Sequence, residues 1–458
     1  MEKIPFERPV IKKVSAGMPG KFGMKSGFET MPDIEGIPVK KIIEEYGSPV
    51  FVISEKTIRK QYQEAYKAFS TRYPNVQFSW SYKTNYLDAV CRIFHQEGSW
   101  AEVVSGFEYK KAMENGVPGN HIIFNGPDKS DEDLKIALEN DSLIHIDHFD
   151  ELYSLIEIAS RVGLKARVAI RVNMDTGIYP MWDRFGFNYE NGDAWDALNR
   201  IMINDHLSLE GLHTHIGTYM LATSAYKIAA SKLADLAVNI YTKYDHVIKY
   251  IDMGGGFASK NTLKGAYLPG YDTVPNISDY AEAIVSGLLS SAIKKENLPL
   301  LILETGRALI DDAGFIAGTV LANKRLSDGR RATIIDVGVN LLFTSFWYDH
   351  EIFPVQSVSS QSEESTIYGP LCMNIDVIRE AVAFPIMKKD DHFVIRRVGA
   401  YNMTQWMQFI TLRPKVVLID EKGLMHVIRK NEELDSIRGL EVVPEHLTGI
   451  DKLPDPNE

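Results

Sequence analysis

The chain of 458 residues lacks several features that would direct it to particular compartments or partners. It has only two cysteines, Cys91 and Cys372, so no disulfide framework is implied and a reducing compartment is expected. No apolar run reaches the roughly 18 residues that a membrane span needs, and the N-terminus lacks the apolar core of a secretory signal. The net charge of −11 argues against nucleic acid as a main partner. We therefore expect a cytoplasmic protein that binds neither membrane nor nucleic acid.

The middle of the chain alternates between strand-like and helical stretches. The hydrophobic fraction of 45% and the charged fraction of 24% are those of an ordinary globular protein. Strand-like apolar runs occupy residues 76–83, 99–105, 121–126, 143–148, 166–173, 209–217, 246–253 and 299–305. Helical stretches such as 108–115, 131–138, 149–161 and 223–241 lie between them. Eight such units over roughly 230 residues favour a closed (β/α)8 TIM barrel of α/β class rather than an open doubly wound sheet.

The sequence pattern changes after Arg307. Runs at 315–325, 331–337, 365–368, 392–398 and 415–419 are β-branched or alternating, with no long helices between them, and predict a mostly antiparallel β domain. The strand at 50–53 has no place among the eight and is expected to join that domain. We divide the chain into an arm and strand (1–53), a barrel (54–311) and a C-terminal β domain (312–458). Within the first part, residues 1–35 are rich in Gly, Pro and Lys and predict an irregular arm.

A lysine, Lys83, stands at the end of the first of these strands. Lysines are seldom buried without a partner, and burial depresses the pKa of the ammonium, which makes the amine nucleophilic. Such a lysine is suited to forming a Schiff base. The alternative is a lysine whose ammonium reaches water along its own stem.

Two other strand ends carry groups that could bind a phosphorylated ring. Gly254, Gly255 and Gly256 directly follow a strand, where their amides could form a nest for a phosphate, or simply a flexible turn. Glu304 and Arg307 end the last strand. The carboxylate could keep a ring nitrogen protonated, which makes a pyridine an electron sink, or it could form a loop salt bridge with the arginine.

His213 and His215 are two residues apart, so on a strand they share a face. We predict no metal there, because neither a cysteine nor a carboxylate lies close by in the sequence. A flat imidazole stacking on a planar ring is the preferred interpretation of His215, with the hydroxyl of Thr218 available to a phosphate.

Together these motifs resemble the fold-type III pyridoxal-phosphate decarboxylases, the family of the diaminopimelate, ornithine and arginine decarboxylases. The resemblance extends from about residue 49 to residue 412 and is nearest to the diaminopimelate branch, for example in 183–187 (DRFGF). It is carried, in order, by 81–85 (SYKTN), 102–105 (EVVS), 213–218 (HTHIGT), 252–257 (DMGGGF), 304–307 (ETGR), 369–372 (GPLC) with Asp376, and 399–401 (GAY). The fold implied is an alanine-racemase-like barrel with a β domain.

The resemblance also implies roles for individual residues. Lys83 would hold pyridoxal 5'-phosphate through a Schiff base, Glu304 would pair with the pyridinium nitrogen, and His215 would stack on the ring. The phosphate and the rest of the cofactor would be bound by Thr218, Gly254, Gly255, Gly256, Gly306, Arg307 and Tyr401, with Glu102 and Arg171 at neighbouring strand ends. The active sites would be shared across a homodimer. From the second subunit, Cys372 would protonate the α-carbon and Asp376 would bind the distal end of the substrate.

Two departures from the diaminopimelate branch concern the substrate. Met373 stands where those enzymes have a glutamate that reads the distal amino group, and Thr344 and Ser345 replace an Arg-Pro pair that binds the distal carboxylate. We therefore expect meso-diaminopimelate to be a poor substrate. Phe343, Phe346, Trp347 and Tyr348 suggest a larger aromatic pocket, unless they form a buried cluster in the β domain.

The preferred hypothesis is α-decarboxylation of an amino acid with an extended or modified side chain, as in siderophore or antibiotic pathways, or one bound to a carrier protein. Arg307, Thr344, Tyr348, Met373 and Asp376 are the expected substrate contacts. The alternatives are an ordinary diaminopimelate decarboxylase and a racemase or epimerase, although an arginine is expected at the position of Glu304 in alanine racemases. A non-enzymatic relative and a phosphate-binding barrel without pyridoxal are further alternatives, which leave Lys83 and Cys372 unexplained.

Overall fold

The computed structural model describes residues 28–358 and 362–447, so most of the predicted N-terminal arm, residues 1–27, lies outside the described residues. The first described elements are β1 (Asp33–Ile34), β2 (Ile37–Pro38), α1 (Val39–Tyr46) and β3 (Val50–Ser54). Every residue of β3 is buried, which suits a strand at the centre of a sheet.

Eight parallel strands close into a barrel, as the sequence predicts. Each of the eight strands bonds to the next one along the chain, and the eighth bonds to the first, which closes the ring. In chain order the strands are β4 (Val76–Ser81), β5 (Trp100–Val103), β6 (Ile122–Phe124), β7 (Leu143–Ile146), β8 (Ala166–Asn173), the short β9 (Phe187–Asn188) that extends β8 outside the ring, β10 (Leu207–His213), β11 (Tyr250–Asp252) and β12 (Leu300–Leu303). The (β/α)8 prediction is confirmed.

Helices cover the outside of the barrel, and several begin where a serine accepts a backbone N–H in the first turn. Ser54, Ser105 and Ser130 do so, which satisfies donors that a helix start leaves free. The helices are α2 (Glu55–Ser70), α3 (Asp88–Gln96), α4 (Gly106–Glu114), α5 (Asp131–Glu139), α6 (Phe149–Val162), α7 (Asp193–Met202), α8 (Thr223–Tyr244), α9 (Gly270–Thr273), α10 (Ile277–Leu289) and α11 (Arg307–Ile310). Among the described residues, no helix is long and apolar enough to cross a membrane.

The C-terminal part is a β domain, and β3 is one of its strands. Its own elements are β13 (Gly314–Arg325), β14 (Arg331–Ile335), β15 (Ile352–Pro354), β16 (Ser362–Tyr368), β17 (Val377–Pro385), β18 (His392–Arg396), β19 (Val416–Ile419), β20 (Met425–Arg429) and α12 (Leu434–Arg438). β3 pairs antiparallel with β13 and parallel with β19, so the early strand does join this sheet. Most other pairings are antiparallel, as expected. The division at residues 53/54 and 311/312 stays our proposal.

The inside of the barrel is apolar toward the amino ends of its strands. Ile123, Leu143, Ala169 and Ile302 form a separate core cluster there with Tyr250. A Cβ at Gly211 would collide with the ring of Tyr250, so the glycine makes room for that ring. The carboxyl ends of the strands carry the polar side chains, at the face where barrels of this kind place their sites.

Candidate active site

Lys83 lies just beyond β4, in a 3-10 turn spanning Tyr82–Thr84, and its ammonium contacts the carboxylate of Glu102 in β5. The Lys83 Nζ lies 2.8 Å from Glu102 Oε1 and 2.7 Å from Oε2. Ser81 also donates a hydrogen bond to Glu102. The two residues therefore form a hydrogen-bonded ion pair in which the carboxylate is buried and the lysine is partly exposed.

The sequence-based expectation for the pKa of Lys83 is wrong. Burial does lower the pKa of the ammonium, but the carboxylates of Glu102 and Glu304 outweigh that effect and raise it above its ordinary value. Burial raises the pKa of Glu102, against the effect of the lysine. Because an amine must be neutral to attack an aldehyde, Glu102 is placed to take the proton that Lys83 must lose.

Glu304 follows β12 and is held by groups from three other strands. Its Oε1 accepts a hydrogen bond from Asn125 Nδ2 at 2.5 Å, and its Oε2 lies 3.4 Å from His213 Nε2. Its backbone N–H donates to the carbonyl of Gly254 at 2.8 Å. The carboxylate is thus fixed at the floor of the same site as Lys83.

Two adjoining cavities make up the site. The first, of about 220 Å³, is lined by Lys83, Glu102, Val104, Asn125, Gly126, Pro127, Arg171, Trp182, Phe185, His213, His215 and Glu304. The second, of about 500 Å³, is lined by Trp182, Thr218, Tyr219, Leu263, Arg307, Trp347, Tyr348 and Tyr401. Because Trp182 lines both cavities, a single molecule could extend from the amine of Lys83 to the guanidinium of Arg307.

Arg307 provides a buried, incompletely satisfied cation in the second cavity. Its Nη2 donates to Thr218 Oγ1 at 3.3 Å, while its Nη1 is buried without a hydrogen-bond partner among the described residues. The guanidinium also lies 4.7 Å from the ring centroid of Tyr401, whose backbone N–H bonds to the carbonyl of Thr84 at 2.8 Å. A buried donor without an acceptor is costly, so this end of the site fits an anion such as a phosphate.

The three glycines after β11 fill positions that suit other residues poorly, two because of their backbone conformation and one because of a close approach. Gly254 and Gly256 have φ of 62° and 88°, in the left-handed region. A Cβ at Gly255 would lie 2.5 Å from the carbonyl oxygen of Glu304. The turn therefore requires glycine for its shape and for its close approach to the end of β12, as a backbone cradle would.

His215 is a neutral ring beside these glycines. Burial, and then the charge of Arg171, hold its pKa well below the ordinary value, and its Nδ1 accepts the N–H of Gly255 at 3.0 Å. Its ring centroid is 5.7 Å from that of Trp182. Arg171 lines the same cavity, 3.7 Å from Asp147 and 4.4 Å from the ring centroid of Phe185. The stacking role of His215 stays a prediction, with a neutral imidazole in position for it.

The donor set fits pyridoxal phosphate. Lys83 would hold its aldehyde carbon, Glu304 its pyridine nitrogen, and Arg307 with Thr218 its phosphate. When bound, this cofactor supplies an electron sink for the pair left at an amino acid's α-carbon. Gly306 packs against Thr84, the residue after Lys83. A Cβ on Gly306 would collide with the side chain of Thr84, so this close approach requires glycine.

The residues predicted to contact the substrate are less well placed. Thr344 is buried and lines neither cavity, and Met373 packs against the core. Asp376 is also buried: its Oδ1 accepts from the N–H of Val339 and its Oδ2 from that of Leu371, at 2.8 Å and 2.7 Å. Within one chain this carboxylate stabilises its own loop. Substrate binding by Thr344 and Asp376 therefore has no support from a single chain.

The predicted aromatic pocket divides into two parts. Trp347 and Tyr348 line the second cavity beside Arg307, whereas Phe346 is exposed and Phe343 lines neither cavity. A place for Phe343 and Phe346 beside a distal substrate group therefore has no support from a single chain and stays a prediction.

Sequence reasoning missed two groups in the site. Trp182 comes from an irregular loop whose sequence gives no structural signal.

Asp252 and His145 lie beside His213 and Glu304, with one nitrogen or oxygen atom of each side chain within 4.8 Å of the others. The premise that no carboxylate lies near His213 is wrong, because Glu304 and Asp252 come from strands adjacent in space; absence of a metal stays a prediction.

Comparison with known proteins gives consistent results. Residues 56–311 match the family described as "Pyridoxal-dependent decarboxylase, pyridoxal binding domain". The chain is 28% identical over 414 residues to the diaminopimelate decarboxylase of Aquifex aeolicus, covering 88% of this chain and 94% of that one. It is 29% identical over 436 residues to that of Methanocaldococcus jannaschii, covering 90% and 95%.

Solved structures show the same likeness. The crystal structure of diaminopimelate decarboxylase from M. jannaschii matches with a TM-score of 0.83 at 28% identity, over 91% of this chain and 96% of that one. A lysine/ornithine decarboxylase from Vibrio vulnificus, complexed with putrescine, matches with a TM-score of 0.71 at 20% identity, over 86% and 100%. The second likeness concerns the fold alone.

Proposed function

The chain belongs to the pyridoxal-dependent decarboxylases, since the family match covers 256 of its 458 residues, and we propose that its substrate is an amino acid with an extended or modified side chain. It is a carboxy-lyase that uses pyridoxal phosphate and acts on an amino acid. The finer proposal is that meso-diaminopimelate is not its preferred substrate and that the amino acid is free or bound to a carrier protein.

The observation that carries this proposal is the environment of Thr344, where the diaminopimelate branch has an arginine for the distal carboxylate. The hydroxyl of Thr344 is hydrogen-bonded to His350 Nε2 at 2.8 Å and to Asn402 Oδ1 at 3.0 Å. Burial lowers the pKa of His350 to about 3, so its imidazole is neutral. The hydrogen-bond partners of Thr344 are thus uncharged and offer a distal carboxylate no ion pair, and an unpaired buried charge is costly.

The remaining cations of the site already have partners or roles. In the described part of the chain, the two cavities are lined by Lys83, Arg171 and Arg307, and these contact Glu102, Asp147 and Thr218 respectively. Arg307 faces the phosphate end. This supports a substrate whose distal end is uncharged or lies outside the barrel.

We also propose a homodimer with shared sites. Cys372 is exposed and lines neither cavity, so the Cys372 of the same chain does not reach the carbon held near Lys83. Its neighbour Ile375 is 53% exposed, which gives the loop an apolar surface suited to an interface. A second copy would therefore supply the thiol that protonates the α-carbon.

The second candidate is diaminopimelate decarboxylation. It is favoured by the named relatives of Aquifex and Methanocaldococcus, which the chain covers almost completely. The first proposal differs from it only at the distal end of the substrate, so the two can be separated by substrate choice.

Proton NMR in D2O tests the choice directly. Purified protein with pyridoxal phosphate would be given meso-diaminopimelate, lysine, ornithine, arginine or glutamate, together with Nε-acetyllysine and Nδ-acetylornithine as uncharged-end probes. We expect the acetylated compounds to be decarboxylated with higher kcat/KM than meso-diaminopimelate. A meso-diaminopimelate rate above all others would overturn the proposal. Deuterium incorporation at the α-carbon without loss of carbon dioxide would instead show a racemase.

A further inference from the structure

We propose that Asp252 is a positioning residue that shares one proton with Glu304, so that the two carboxyl groups together present a single negative charge to the pyridine nitrogen. The inference rests on the cofactor site and not on the identity of the substrate. It concerns a residue beneath the glycine cradle, separate from the groups that contact the cofactor phosphate.

The geometry places the two acids side by side. Asp252 ends β11, Glu304 follows β12, and these two strands are paired in parallel. The Asp252 Oδ1 accepts the N–H of Gly254 at 2.8 Å, whereas its Oδ2 is buried without a hydrogen-bond partner among the described residues. A carboxyl oxygen of Asp252 lies within 4.8 Å of one of Glu304. The unpartnered oxygen therefore needs a proton or a donor, and Glu304 is a nearby acceptor.

Charge pairing indicates which acid carries the proton. Glu102 is paired with Lys83 and Asp147 with Arg171, while Glu304 faces the position of the pyridinium. In the described residues no lysine or arginine forms an ion pair with Asp252. Two adjacent buried carboxylates do not both ionise without a cation. Asp252 is therefore the protonated member.

The other titratable groups around Asp252 provide no positive charge that would favour its ionised form. Burial and then the Glu304 carboxylate raise the pKa of Asp252 well above its ordinary value, and Glu102 acts in the same direction. Burial holds the pKa of both His213 and His145 well below the ordinary value, so neither imidazole supplies a positive charge. Tyr250, which hydrogen-bonds to His145 at 2.9 Å, has its pKa raised well above the ordinary value by burial and is neutral.

The consequence concerns the orientation of Glu304. Asn125 holds its Oε1 and His213 approaches its Oε2, and the protonated Asp252 adds a donor from below. This hydrogen bond would hold the Glu304 carboxylate toward the position that the pyridine nitrogen would take. Asp252 would thereby support the contact of Glu304 with the ring nitrogen without touching the cofactor.

Asp252→Asn and Asp252→Ala separate this role from a purely structural one. The asparagine keeps an acceptor for the N–H of Gly254 and donates permanently to Glu304, as the protonated acid does. We expect its affinity for pyridoxal phosphate, measured by titrating the apoprotein and following the cofactor absorption band, to stay within about threefold of wild type. The alanine loses a hydrogen bond to a charged group, so its affinity should fall by about tenfold.

Infrared spectroscopy gives a readout independent of activity and binding. The wild-type protein should show a protonated-carboxyl band that shifts in D2O and is absent from Asp252→Asn. Glu210→Gln is a matched control, because Glu210 is a buried acid on β10 that pairs with Arg167 and Lys249. It lines neither cavity, so the protonated-carboxyl band and the cofactor affinity of this variant should be those of the wild type.

Three outcomes would overturn the proposal. The first is a loss of cofactor affinity in Asp252→Asn as large as in the alanine variant, since an ionised Asp252 would be equally damaged by both. The second is absence of the protonated-carboxyl band from the folded wild-type protein. The third is one equivalent of metal per chain, measured by elemental analysis, that disappears in Asp252→Asn. If the alanine variant fails to fold, the asparagine variant and the infrared band still decide.

Discussion

The cofactor end and the substrate end of this site are built in different ways. At the cofactor end, Lys83, Glu102 and Glu304 come from adjacent barrel strands, and both carboxylates are buried. Lys83 contacts Glu102 directly, and Asn125 donates hydrogen bonds to both carboxylates. At the substrate end, Thr344 and Asp376 lie in the β domain and use their polar atoms in its own structure. The groups suited to a cofactor therefore all lie together in one chain, whereas the predicted substrate contacts do not.

The largest effect is expected from Lys83→Ala. Without the amine, the protein has no group to hold the cofactor aldehyde, so both the absorption band of bound cofactor after gel filtration and all turnover should be lost. Lys60→Ala, at an exposed lysine on α2, is the control and should behave as wild type. Bound cofactor with measurable turnover in Lys83→Ala would show that another group serves the cofactor end.

Glu304→Gln should lower kcat by roughly 10²–10³, because it removes a preorganised charge from the developing electron sink. The neutral side chain keeps similar shape, so thermal unfolding should change little. Steady-state kinetics on the best substrate from the NMR panel provide the measurement. An unchanged kcat would exclude the carboxylate from the chemistry of the cofactor end.

Cys372→Ala should lower kcat by about 10² through loss of a general acid, while cofactor binding is retained. Mixing it with Lys83→Ala after unfolding and refolding tests whether sites are shared. If each site takes Lys83 from one chain and Cys372 from the other, half of the random dimers have one intact site, so the mixture should recover about a quarter of wild-type activity. No recovery in a mixture of confirmed dimers would place both residues of a site on the same chain.

The smallest expected effect is on the pH dependence of folding stability, through His350 at the substrate end. Burial lowers the pKa of His350 from an ordinary 6.5 to about 3, so the unfolded chain binds a proton that the folded chain does not. Stability contributed by the neutral His350 is therefore lost as pH falls from about 6.5 toward 3. His350→Gln should reduce the pH slope of the unfolding free energy, measured in urea, by up to about 1.4 kcal/mol per pH unit. Equal slopes in both proteins would contradict the buried neutral imidazole.

The sequence predicts the cofactor end better than the substrate end for a physical reason. Parallel strands bring their carboxyl ends to one face, so Lys83, Glu102 and Glu304 could be expected to meet once the eight strands were recognised. The direction of the Lys83 pKa was wrong because its sign depends on which carboxylate lies closest, and that is set by strand neighbours rather than by sequence spacing.

The β domain contains features that the sequence pattern does not predict. The strand β17 was missed because Arg379 and Glu380 interrupt its apolar pattern on a half-exposed sheet edge. The contacts of Thr344 join residues as far apart as Asn402, which no local pattern reveals. The proximity of Asp252 to Glu304 likewise requires knowledge of which strands are neighbours.

The ring of Tyr250, which occupies the space that Gly211 leaves, has a consequence for access to the site. It lies with apolar side chains toward the amino ends of the strands, below His145 and the buried acids. Cofactor and amino acid must then enter by the opposite end, past Trp182. At a site entered from one end, a molecule bound between Trp182 and Glu304 would close the path to Glu304 for any molecule that follows it.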